Sequence, residues 1–212
     1  MKPVIPIFPL NIVVFPFSKI PLHIFEERYK KLMQLCLDEK TGFGIVAQIK
    51  EELSKIGCYV EVTDVLQKYP TGEMDIVVVG RSRFLIKETT VHPDSYHLAQ
   101  IEEYNDLHID VNKSLLEQLK SSFESIINKV NFKLEEAFWE GYNKTEMKSY
   151  KIAEKSGLSI EQQQELLTIR NENNRIDFLL KHFEKLGQQL TENATLKALI
   201  MSDGYLNIKD SN

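Results

Sequence analysis

Cysteine is scarce in this chain of 212 residues: there are two, Cys36 and Cys58. Lying 22 positions apart, they make no C-x-x-C pair and no metal-ligand spacing, which excludes a local zinc framework and a thioredoxin-type redox motif. Both read as small buried side chains, the commonest fate of a free cysteine. Long apolar runs are missing as well, so no segment approaches the length of a membrane span. The opening residues lack the charged start, continuous apolar stretch and cleavage site of a secretory signal. These absences give no membrane association and a cytoplasmic location as the expectation. Nor is there a surplus of positive charge. Twenty-six Lys and Arg face 31 Asp and Glu, for a net charge of −5. The balance is even, with 12 basic and 14 acidic side chains in residues 1–105 and 14 and 17 in residues 106–212. Neither half is a basic module, which weighs against nucleic acid as a partner.

Catalytic signatures are missing too. The chain has no G-x-x-x-x-G-K-[ST] phosphate loop, no G-x-S-x-G, no H-E-x-x-H and no S-x-x-K. Its five histidines (His23, His92, His97, His108 and His182) are scattered, and no spacing argues for a metal. Two acidic pairs, Glu26-Glu27 and Glu102-Glu103, could suggest acid–base work. Adjacent residues diverge by about 100° on a helix, however, and point to opposite faces of a strand. Glu26-Glu27 is better explained as charge stabilising a helix N-terminus, and Arg28 as the partner of a nearby acid. The expectation is a protein that is not an enzyme and needs no cofactor.

What the chain does have is a distinctive start. In MKPVIPIFPLNIVVFPFSKIPLHIFEERYK, Pro6, Pro9, Pro16 and Pro21 punctuate short apolar runs. Proline fixes φ and removes a backbone donor, so such runs belong in short strands, edges and turns. A helical pattern follows, with Phe25, Tyr29, Leu32, Met33 and Cys36 on one apolar face and Thr41-Gly42 as its end. Phe43–Ala47 reads as a short buried strand. A longer one starts near Gly57, with Val60 and Val62 alternating with Glu61 and Thr63. Tyr69-Pro70-Thr71-Gly72 has the chemistry of a tight turn. The return strand runs from Met74 to Val79, and Gly80 suits a bend or bulge. Phe84 and Ile86 then alternate with Arg83 and Lys87, and Tyr96–Tyr104 is the last strand. Several short strands at this spacing imply a sandwich or closed barrel.

The period changes after about residue 108. Leu115, Leu119, Phe123, Ile126, Ile127 and Val130 form a helical stripe. Lys148–Lys155 is a further helix, stopped at Ser156-Gly157. Ser159 with Gln162 has capping-box spacing. Ile176, Leu179, Leu180 and Phe183 mark a long helix, and Leu196–Met201 suggests one more. The fold expected is α+β: a β-rich subdomain with an early helix at 1–107, then a helical bundle at 108–212. The join near 105–110 is short and polar, unlike a flexible linker.

The residues Pro6-Ile7-Phe8-Pro9-Leu10, Val13-Val14-Phe15-Pro16 and Pro21-Leu22-His23-Ile24-Phe25-Glu26-Glu27-Arg28-Tyr29 resemble the opening of the Lon protease N-terminal domain family. Phe43-Gly44-Ile45-Val46, Ile56–Val62, Asp75–Phe84 and Tyr96-His97-Leu98-Ala99 follow in that family's order. The resemblance implies a PUA-like β-barrel followed by a helical bundle, standing here without ATPase and protease domains. It also implies non-catalytic recognition of unfolded or damaged polypeptides, as an adaptor or holdase working with a separate protease or chaperone. An RNA-binding PUA-like module and a small-molecule regulatory domain are the alternatives.

The residues themselves offer a candidate surface. Val13–Phe17 cannot all face inward if they form one strand, because side chains alternate. Tyr69 and Met74 flank a hairpin tip where exposure is expected. Phe15, Pro16, Phe17, Tyr69 and Met74 are therefore the polypeptide-binding candidates, with Phe138-Trp139 as a further apolar pair.

Overall fold

The first strand carries two prolines, and its pairing explains how it tolerates them. In the computed structural model, which describes residues 3–107 and 110–189, β1 (Val4–Leu10) changes partner midway. Residues Val4–Ile7 run antiparallel to β7 (His97–Glu103), and Ile7–Leu10 run parallel to β3 (Phe43–Ile49). Each half is thus bonded on one side only, so Pro6 and Pro9 can leave a donor out of the ladder. The remaining strands are β2 (Lys19–Ile24), β4 (Glu52–Leu53), β5 (Ile56–Lys68) and β6 (Met74–Val91).

The order β1-β7-β6-β5-β3 closes on itself through the β1–β3 pairing, with β4 added to β3 and β2 to β6. This closed ring is the barrel expected from the resemblance. Ile7, Val46, Phe84, Ala99 and Ile101 fill its interior. Helix α1 (Glu27–Glu39) turns Tyr29, Leu32, Met33 and Cys36 inward, and the Tyr29 ring stacks on Phe8 of β1 at 3.7 Å. The sequence pattern placed Phe25 on that same face. Instead the helix begins two residues later, and Phe25 precedes it with its ring in solvent.

Strand β6 is one 18-residue ribbon rather than two strands. Its register against β5 slips beside Gly80, where Tyr59 faces Ser82 and Val60 faces Gly80. The slip leaves Arg81 as the extra residue of a bulge. Glycine is required at position 80 by close approach. A Cβ there would strike the Phe15 carbonyl oxygen, and Gly80 exchanges backbone bonds with Phe17 N–H (2.8 Å) and the Ser18 carbonyl (3.0 Å). Alternation predicted Arg83 on the outer face, yet it is buried, its guanidinium 5.2 Å from the Tyr104 ring.

The described residues up to Asn105 make up this first compact unit, and those from Asp106 onward the second. The second is helical: α2 (Lys113–Lys129), α3 (Glu136–Lys144), α4 (Lys148–Ala153), α5 (Ile160–Thr168) and α6 (Glu172–Gln189). Asn112 caps α2 by accepting from Ser114 and Leu115 N–H. Ser159 and Gln162 form the expected capping box on α5. At its centre the Phe123 ring lies 5.8 Å from that of Phe138 and 5.9 Å from that of Phe183. Phe138 is therefore core, not surface, while Trp139 is half-buried. The helix read at Leu196–Met201 lies outside the described residues.

A second centre of this unit is polar. Arg175, fully buried on α6, donates to both carboxylate oxygens of Asp106 (2.9 and 2.5 Å), to Glu172 (2.7 Å), to Ser149 Oγ (3.0 Å) and to the Ile169 carbonyl (2.8 Å). Its guanidinium lies 4.4 Å from the Tyr150 ring centre. Glu172 in turn accepts from the Ser149 N–H and hydroxyl. Each buried charge is thus paired and hydrogen-bonded, the condition for keeping charge in an interior.

Candidate functional site

The five candidate residues separate into core and surface. Phe15 is 1% exposed and Met74 4% exposed, and Pro16 is buried as well. The exposure expected of these three is not found. Residues 11–18 form a turn, not a strand. Alternation therefore does not apply, and Val13 to Pro16 all pack inward. Met74 lies at the end of a ribbon that stays paired to its last residue, opposite Lys68 on one side and Ile24 on the other. Its side chain keeps the inward face. Phe17 and Tyr69 do reach solvent, at 51% and 38% exposure.

Phe17 sits at φ 69°. A bulky residue in the left-handed region is a genuine outlier, because its Cβ crowds the backbone. The turn imposes this through the Phe17 N–H bond to Gly80 and the Ser18 N–H bond to Phe15.

Tyr69 belongs to a separate cluster. The turn Tyr69–Gly72 closes with Gly72 N–H donating to the Tyr69 carbonyl at 2.9 Å, and Gly72 takes φ 85° as that turn requires. The Tyr69 hydroxyl donates to Asp75 Oδ2 at 2.7 Å, and His23 Nδ1 to Asp75 Oδ1 at 2.7 Å. The His23 ring stacks on Phe25 at 5.9 Å and meets Tyr69 edge-on at 6.1 Å. Sequence reasoning missed His23 and Phe25 here. The signal was the i, i+2 spacing of two rings at the end of a strand whose other face is apolar.

One carboxylate thus orients a surface of three rings, of which Phe25 is 57% exposed. Leu66, on the β5 arm of the same hairpin, is 63% exposed. The bonds from His23 and then Tyr69 hold the Asp75 carboxyl below the usual carboxylate range, and the bond to Asp75 raises the Tyr69 phenol. Replacing Tyr69 by Phe removes one of the two donors. The Asp75 titration should then move up toward its ordinary value, a shift readable by carboxyl-carbon NMR; an unmoved titration would show that the hydroxyl does not bond there in solution.

Phe17 and Phe25 do not form one patch. They bracket β2, and the residues between them span roughly 20–25 Å at about 3.3 Å each.

Chemistry finds little elsewhere. Burial pushes the Cys36 thiol up to about 11 and the Cys58 thiol up to about 12, so neither supplies a thiolate at neutral pH. Glu26 pairs with Arg28 at 2.7 Å, as the sequence suggested, and Glu27 lies in the first turn of α1. A cleft of about 530 Å³ lies between the start of α1 and Pro93–Ser95. Its cations are matched internally, Arg28 by Glu26 and Lys31 by Asp94 at 2.6 Å. Among the described residues no group of three or more His, Cys, Asp or Glu is placed to hold a metal, and no helix is long and apolar enough to cross a membrane.

Comparison with known proteins follows the same lines. The family model described as the ATP-dependent protease La (LON) substrate-binding domain matches residues 4–185. A Lon protease of Buchnera aphidicola subsp. Acyrthosiphon pisum (strain APS) is 26% identical over 194 residues, covering 85% of this chain and 25% of that protein. The chain therefore spans about a quarter of this relative. Among solved structures, a Lon N-terminal domain protein from Xanthomonas campestris superposes with a TM-score of 0.64 at 23% identity, over 84% of this chain and 98% of that one. The N-terminal domain of a Mycobacterium avium complex Lon protease superposes with a TM-score of 0.68 at 15% identity, over 86% and 98%. At these identities the two structures speak to the fold.

Proposed function

The chain belongs to the family of ATP-dependent protease La (LON) substrate-binding domains, and on that premise we propose that it is a non-catalytic module that recognises unfolded or damaged polypeptide. It acts in the cytoplasm as an adaptor or holdase, with a protease or chaperone as its partner. The observation that supports this most is Phe17: a large apolar ring, half in solvent, held at a backbone angle that disfavours it. Strained residues of this kind cluster where a surface does something other than stabilise the fold. Phe25, Tyr69 and Leu66 give the same unit a second exposed apolar surface. A flexible client loses entropy on binding, so affinity is micromolar or weaker.

The test is a titration of reduced, carboxymethylated lactalbumin, which stays unfolded, against the full chain. Phe17→Gly relieves the left-handed strain while deleting the ring. The expected result is a melting temperature unchanged or raised, with client affinity several-fold weaker. A holdase would also suppress aggregation of a heat-denatured protein without nucleotide. Absence of any binding by the wild-type chain up to about a hundred times the micromolar range would overturn the recognition reading; full affinity in Phe17→Gly would remove Phe17 from it.

A further inference from the structure

β2 is bonded along one edge only. All six of its residues pair with β6, from Lys19 opposite Val79 to Ile24 opposite Met74, and no second strand joins it among the described residues. The hydrogen-bond phase of that ladder can be read from its start, where Gly80 N–H donates to the Ser18 carbonyl. Antiparallel pairs alternate between bonded and non-bonded positions. Ile20, Leu22 and Ile24 therefore turn their backbone groups toward β6, while Lys19, Pro21 and His23 turn theirs outward. Proline at 21 agrees independently, since within sheets it occupies positions whose N–H would face away from the partner. Among the described residues no other backbone or side-chain bond reaches these outward groups. The free edge thus offers the N–H of Lys19 and His23 and the carbonyls of Lys19, Pro21 and His23, at strand spacing. An exposed aromatic stands at each end, Phe17 before the strand and Phe25 after it.

We infer that the client binds as an added strand on this edge: an extended segment of seven to nine residues with apolar side chains near both ends. The inference rests on the polypeptide-recognition reading and names its binding mode. Donors and acceptors repeating at about 6.8 Å are complemented by another extended main chain. The two rings supply apolar anchors at a separation only an extended segment of that length spans. Pro21 interrupts the row with one missing donor. This keeps the edge from acting as a full template for aggregation, as prolines on edges do, and leaves recognition weak and tolerant of client sequence.

The experiment uses the full chain and a fluorescein-labelled nonapeptide with Phe at both ends and alternating Val and Thr between, read by anisotropy. Three comparisons are made. An analogue N-methylated at its seven internal residues keeps the side chains but loses the donors, and should bind more than tenfold more weakly. Pro21→Val adds an N–H to the edge, and one further backbone bond should tighten the unmethylated peptide roughly two- to tenfold. Carboxymethylated lactalbumin serves as the general client.

Equal binding of both peptides, together with no gain in Pro21→Val, would overturn strand addition while lactalbumin binding left the recognition reading standing. Failure of the wild-type chain to bind peptide and lactalbumin alike would remove both. A wild-type chain that sediments as a dimer dissociated by Lys19→Pro would assign the edge to a second copy of this chain, and overturn the client as its occupant.

Discussion

Replacing Arg175 by Met is expected to destabilise the helical unit by about 3–5 kcal/mol, the range for breaking a buried ion pair from one side. The loss comes less from missing attraction than from what remains. Asp106 would lose the two bonds from the guanidinium, and Glu172, among the described residues, would keep the bonds from Ser149. Two carboxylates would then sit in or beside an interior with one cation removed, the costly half of a broken pair. Lysine would not rescue the site, since one ammonium cannot donate in a fork to Asp106 while reaching Ser149 and the Ile169 carbonyl. Urea unfolding followed by far-UV circular dichroism measures the change. The triple variant Arg175→Met, Asp106→Asn, Glu172→Gln should recover part of the loss, because it removes the stranded charges. A single variant within about 1 kcal/mol of wild type would mean that water takes over the role of the guanidinium.

Phe15→Ala should weaken the β unit by a similar amount, about 3–5 kcal/mol for a fully buried phenylalanine. In a unit of this size that corresponds to a fall in melting temperature of roughly 10 °C or more. The neighbouring Phe17 is the control: being half in solvent and strained, it should melt within a few degrees of wild type after truncation. The contrast across two positions tests whether the 11–18 turn folds with Phe15 inward. Two equal melting temperatures would refute that placement. Should Phe15→Ala fail to fold, Phe15→Leu, which leaves a smaller void, keeps the comparison measurable.

Much of the architecture was legible because local chemistry and the final fold agree. Ser159 and Gln162 announced a capping box, and the box forms. Tyr69–Gly72 announced a turn, and the turn closes. Tyr29, Leu32, Met33 and Cys36 showed a helical stripe that the barrel covers. Where reading failed, a non-local contact had overridden a local rule. Val13–Phe17 looked like a strand with too many apolar side chains, but a turn held by Gly80, more than sixty positions away, buries four of them in a row. Arg83 looked like the polar half of an alternation, yet it is buried, with its guanidinium 5.2 Å from the Tyr104 ring. Arg175 follows Glu172 by one helical turn and precedes Ile176, so its place on the buried stripe was visible; its partners Asp106 and Ser149 were not. The surface was the least legible part. Exposure of Phe25 depends on the helix starting at Glu27 instead of Phe25, a shift of two residues that no pattern of apolar spacing resolves.

The split allegiance of β1 has a consequence during synthesis. Its parallel partner β3 lies some thirty-five residues downstream, and its antiparallel partner β7 about ninety. The barrel cannot close until nearly the whole β unit has left the ribosome, and contacts so distant along the chain form slowly. Until β3 emerges the whole first strand waits, apolar and unpaired, and its Val4–Ile7 half waits on for β7, the condition in which nascent chains associate wrongly. Pro6 and Pro9 then act before the fold exists, denying two donors to any stray strand that meets the waiting segment.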